Sequence, residues 1–71
     1  MTKEAIEKLP DQCRRFCEIQ HALIRHSILN GFEQQRTEDA KKLRGYIECL
    51  KDLGILTDTE VRAIYMHYAT P

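Results

Sequence analysis

Apolar residues return every three or four positions along this chain, in stretches separated by proline or glycine, and nowhere in the strict alternation of a half-buried strand. The pattern predicts helices throughout. It is sharpest from Leu43 to Tyr68, where it encodes a helical hairpin. A helix with Leu43, Tyr46, Ile47, Leu50 and Leu53 on its inner side should stop at Gly54, because glycine accepts the left-handed conformation that closes a helix. Ile55 is the apolar residue that such an ending prefers, and Leu50 is placed to touch it. The run Leu56-Thr57-Asp58-Thr59-Glu60-Val61 then reads as a helix start. Thr57 is the N-cap, Glu60 its capping-box partner, and Leu56 and Val61 the hydrophobic staple. Asp58 and Glu60 suit the positive end of the helix dipole. The last helix is predicted from about Asp58 to Ala69, with Val61, Ile64, Tyr65 and Tyr68 on one face.

Upstream, Asp11 to Leu29 is the longest periodic stretch. Cys13, Phe16, Cys17, Gln20, Leu23, Ile24, Ser27 and Ile28 fall in one sector, and Arg14, Arg15, Glu18 and Arg25 fall opposite. Asn30-Gly31 is its stop signal. Three apolar residues, Ile19, Ala22 and Leu29, lie outside the inner stripe. On one helix they favour a second buried face, hence a partner. Residues Thr2 to Leu9 can form a short first helix with Ile6 and Leu9 inward. Pro10 then breaks the chain or kinks it; the break is preferred, because proline belongs in a first helical turn. Between Phe32 and Arg36 two readings stay open. Either this is a loop and Thr37 caps the next helix, or Asn30 and Glu33 form a capping box and the helix starts near Gly31, bringing Phe32 and Arg36 into the inner sector. Gly45 costs about 1 kcal/mol against alanine inside a helix, so it is either merely tolerated or admits close approach of another helix.

The fold expectation is therefore a single all-α domain over residues 1–71: a long amphipathic helix plus a C-terminal αα-hairpin, three main helices in all, with a possible short N-terminal helical turn. Seventy-one residues make a small core, worth about 3–5 kcal/mol in a domain of this size. Association with a copy or a partner is a common remedy.

Charge narrows the function classes. Eleven basic and eleven acidic side chains leave no net charge, which argues against an electrostatic nucleic-acid binder and against a polybasic membrane anchor. No apolar run reaches the ~20 residues of a spanning helix, and the charged N-terminus lacks the apolar core of a secretion signal. Three cysteines without a scaffold spacing suggest free thiols in a reducing, cytoplasmic setting.

Candidate chemistry is sparse. Cys13, Cys17 and His21 stand on successive turns, with Cys49 as a conceivable fourth ligand. Two of the cysteines fall in the apolar stripe, where free cysteine behaves as a small hydrophobe, so no metal and no other cofactor is expected. Ser27 and His26 are helix neighbours and do not face each other, which makes a poor nucleophile and base. No phosphate loop, nucleophile elbow or HExxH occurs, and no enzymatic activity is expected. Lys41, Lys42, Arg44 and Lys51 interleave with Glu38, Asp39, Glu48 and Asp52, the pattern of a solvated face.

The corner from Leu53 to Val61 followed by a helix bearing Arg62 resembles a helix-turn-helix, and its Leu56-Thr57-x-x-Glu60-x-x-x-Ile64 spacing resembles the start of sigma-factor-like recognition units. The likeness spans about fifteen residues and implies DNA binding. The supposed recognition helix nevertheless holds two acids and one arginine, poor for phosphate contact.

The sequence thus points to a non-catalytic protein-protein interaction module. It would be a regulator or inhibitor of the bacterial, plasmid or phage kind, self-associating or binding a larger protein. A DNA-binding regulator and a small Cys/His metal protein are the alternatives. The expected partner-binding residues are Ile19, Ala22 and Leu29 on the long helix, with Tyr46 and Tyr68 partly exposed at an interface and Tyr65 in the core.

Overall fold

In the computed structural model, which describes residues 2–70, one proline and two glycines divide the chain into four helices: α1 (Thr2–Glu7), α2 (Asp11–Leu29), α3 (Glu33–Asp52) and α4 (Asp58–Ala69). Pro10 caps α2 with extended backbone, so α1 is a separate short helix rather than the first turn of a kinked one.

Both glycine corners close in the same way. At the end of α3 the amide of Ile55 donates to the Leu50 carbonyl (3.0 Å) and that of Gly54 to Lys51 (2.9 Å). At the end of α2 the amide of Phe32 donates to Ser27 (2.8 Å) and that of Gly31 to Ile28 (3.3 Å). These are paired Schellman bonds, with φ of +81° at Gly54 and +71° at Gly31. Beyond Gly54 the capping box is complete: Glu60 N–H donates to Thr57 Oγ1 (3.2 Å), and Thr57 N–H donates to Glu60 Oε1 (2.9 Å). Leu56 and Val61, the expected staple, are both buried.

The second corner resolves the open start of α3. The helix begins at Glu33, close to the early alternative, but with Phe32 as N-cap and no side-chain cap. Asn30 does not form the capping box with Glu33; its amide turns back and donates to the His26 carbonyl (2.8 Å), finishing α2 instead. Thr37 lies inside α3, with its hydroxyl bonded to the Glu33 carbonyl.

Helices α2, α3 and α4 pack on one another, and α1 lies on α4, in a bundle of 35 × 20 × 20 Å. Cys17, Ile24, Leu43, Ile47 and Ile64 are fully enclosed at its centre. Burying a large aliphatic side chain is worth about 1.5–3 kcal/mol, which is what holds such short helices in place. Ala5 and Leu9 seal the α4 side, and Lys8 clamps α1 to the capping box by pairing with Glu60 at 2.8 Å.

Three expectations of which side chains face inward or outward are corrected. Leu53 is 73% exposed, because α3 ends at Asp52 and Leu53 is the cap from which the chain turns away. Phe32 likewise stands outside, ahead of its helix. Asp39, expected on the solvated face, is buried, and Gln35 donates to its carboxylate at 3.2 Å.

Candidate interaction surface

The face of α2 turned away from the bundle is built by period. Cys17, Gln20, Ile24 and Ser27 are buried on one side. Ile19, Ala22, Leu23, His26 and Leu29 are exposed on the other. Ile19 is 54% and Leu29 80% exposed. Sequence periodicity placed Ile19, Ala22 and Leu29 here. It put Leu23 in the core, yet Leu23 is 44% exposed and extends the outer stripe. Leu23 sits at the edge of the inner sector, where one side chain's width decides between core and solvent. Phe32 adds to the same end of the molecule, its ring edge-on to His26 at 6.3 Å. Large apolar groups in a row, exposed on a small domain, mark an interaction site more often than isolated ones do.

Tyr46 is partly exposed as expected, whereas Tyr65 and Tyr68 exchange places. Tyr46 is half-buried and stacks on Phe16, ring centroids 4.2 Å apart, so its ring is committed to the α2–α3 contact. A hydrogen bond with the Cys13 thiol, helped by burial, pushes its hydroxyl up to about 12 and keeps it a neutral phenol. Tyr68 is buried, not partly exposed: it lies on α4's inner face against α2, edge-on to His21 at 6.0 Å. Burial pushes its hydroxyl above the usual phenol range. Tyr65 takes the more open position, half-buried beneath the Arg44 guanidinium at 5.8 Å. The four-residue face of α4 was read correctly, but its centre lies toward Tyr68 because α2 crosses the last turn of α4.

Cys13, Cys17, His21 and Cys49 do not converge. Among the described residues no three His, Cys, Asp or Glu side chains form a group able to hold a metal. His21 Nε2 donates to the Thr70 carbonyl at 3.1 Å, which ties α2 to the end of α4. Cys17 is fully buried, and desolvation raises its thiol to about 11, the opposite of a reactive cysteine. Cys49 is exposed on α3.

A second surface, the α3–α4 groove, is lined by Arg44, Glu48, Lys51, Asp58 and Tyr65. Its charges pair across or along it: Arg44 with Glu48 at 3.5 Å and Lys51 with Asp58 at 3.1 Å. The pairing with Asp58 holds the Lys51 ammonium above its ordinary value. On α4 the exposed positions include Asp58, Arg62, Met66 and His67, so the supposed recognition helix offers one permanent cation.

Among the described residues, fold and surface define a small four-helix, all-α domain whose α2 turns apolar side chains outward. No helix among the described residues is long and apolar enough to cross a membrane. No protein-family model, no curated protein and no solved structure matches the chain.

Proposed function

We propose that this chain is a small non-catalytic protein-interaction module. It acts as a regulator or inhibitor by occupying a partner protein, associates with itself, and works in a reducing, cytoplasmic setting. Its docking surface is the outward face of α2. The observation that carries this reading is the doubly apolar character of α2, with a sealed core on one side and Ile19, Ala22, Leu23 and Leu29 in solvent on the other. Covering each of the larger ones is worth about 1–2 kcal/mol, which a 71-residue domain has reason to recover by association. The buried, protonated Cys17 and the enclosed Ser27 support a role without nucleophilic chemistry. The paired charges of the α3–α4 groove and the acidic first turn of α4 favour protein over DNA as the partner.

The test compares the wild-type chain with Ile19→Lys and Leu29→Lys. Both sites are exposed, so helical content by circular dichroism should not change. The wild type should retain protein in stoichiometric amount, a copy of itself or another chain, and the variants should not. A wild-type chain that stays monomeric and retains nothing the variants fail to retain would overturn the reading.

A further inference from the structure

The docking face of α2 is complementary to itself, and we infer that its partner is a second copy, paired antiparallel through α2 with a two-fold axis beside Ala22. This rests on reading that face as the docking surface. Glu18 and Arg25 border the apolar stripe on the same edge, seven residues and thus two helical turns apart. Both are exposed, and among the described residues neither takes an ion pair within the chain, so both charges are open to a partner. Their midpoint falls next to Ala22.

A two-fold axis there, perpendicular to both helices, carries Glu18 of one copy to the level of Arg25 of the other, on the same side of the seam. Symmetry repeats the pair about 10 Å away along the helix. The stripe itself meets in the same register. Ala22, the smallest residue of the face, lies at the crossing, where helices approach to about 8–10 Å. Ile19 of one copy comes level with the space between Leu23 and His26 of the other. Leu29 reaches past the centre to the stem of Arg15. In a parallel pairing, by contrast, the two-fold runs along the seam and carries this edge to its opposite side, so Glu18 and Arg25 of one copy meet neither charge of the other; only the antiparallel arrangement brings them together.

Size is consistent with this use. A standard interface takes about 800 Å² from each partner, roughly a sixth of this chain's 5034 Å² surface. The 19 residues of α2 run about 28 Å, against a longest extent of 35 Å for the bundle, and Phe32 extends the exposed face at one end.

Charge exchange tests the register. Glu18→Arg and Arg25→Glu should each raise the dimer dissociation constant about tenfold in sedimentation equilibrium, since each converts two attractive pairs into two repulsive ones. The double variant, and an equimolar mixture of the two single variants, should return to the wild-type value. Ala22→Cys in a Cys49→Ser background should form an intermolecular disulfide with oxidised glutathione, and Arg14→Cys in that background should not. Wild-type chain that remains monomeric, or a dimer indifferent to both single exchanges, overturns the inference. If Ile19→Lys still abolishes capture of a different protein, the docking surface stands and only the identity of its partner falls.

Discussion

One chemical change, glycine to alanine, should act with opposite sign at the three glycines of this chain. At Gly54 the backbone is left-handed, φ +81°, and at Gly31 it is +71°. An alanine Cβ there would meet nothing within 4 Å, so crowding contributes nothing and the cost is that of the conformation alone. A left-handed non-glycine residue costs about 1–2 kcal/mol, of which the stiffer unfolded chain returns about 0.4–1 kcal/mol. The expected loss is about 1 kcal/mol at each corner. Gly45 is the converse case. It lies inside α3 with helical backbone, exposed, and with nothing within 4 Å of a Cβ. Among the described residues no neighbouring helix comes within 4 Å of that Cβ, so close packing within the fold is not its reason. Alanine there should gain about 0.8–1 kcal/mol of helix propensity. In a domain of this length 1 kcal/mol moves Tm by about 4–8 °C. Thermal unfolding followed at 222 nm should therefore show Gly31→Ala and Gly54→Ala melting lower and Gly45→Ala melting higher, a spread of about 10 °C. A neutral Gly54→Ala, or a destabilising Gly45→Ala, would refute the assignment of conformational cost to these positions.

Further outcomes follow from the core, the clamp and the thiols. Ile64→Ala removes a fully buried side chain and should cost about 2–5 kcal/mol, as much as the whole stability of so small a domain, leaving a largely unfolded chain by circular dichroism. The Glu60 carboxyl is held below its ordinary value by the Lys8 ammonium and the Thr57 amide. Its contribution is thus complete above the unfolded-state value of 4.5 and lost as pH falls through the lower folded-state value. Urea midpoints measured from pH 7 down to pH 3 should fall less steeply for Glu60→Gln than for wild type, from a lower start, and parallel curves would contradict the clamp. Ellman's reagent at pH 8 should titrate Cys49 at once and Cys17 only on unfolding, because Cys17 is enclosed and its thiol stands near 11.

The corner between α3 and α4 was legible residue by residue, because stop and start signals are local: Gly54 needs only its own φ, and Thr57 and Glu60 need only each other. The outer positions of Ile19, Ala22 and Leu29 were legible for a related reason, since the helical period places them far from the core's centre line. Positions near a sector boundary were not. Leu23 emerged and Tyr68 sank because the tilt of one helix across another decides the edge, and period alone carries no tilt. Leu53 was misplaced because the inner sector was extended through the cap residue. Asn30 was ambiguous because one side chain can cap the helix behind it or the helix ahead, and here it bonds backward to His26. The charge register proposed for Glu18 with Arg25 had no signal until the structure left both without an intrachain partner among the described residues.

The account stands on the claim that the outward face of α2 exists to be covered. Sedimentation equilibrium of the wild-type chain beside Ile19→Lys, from micromolar to millimolar concentration, measures this most directly. The account predicts a wild-type mass rising to twice the 8.4 kDa of one chain while the variant stays at 8.4 kDa with unchanged helicity. Two indistinguishable monomers across the whole range, with the wild type retaining no other protein that the variant fails to retain, would contradict it.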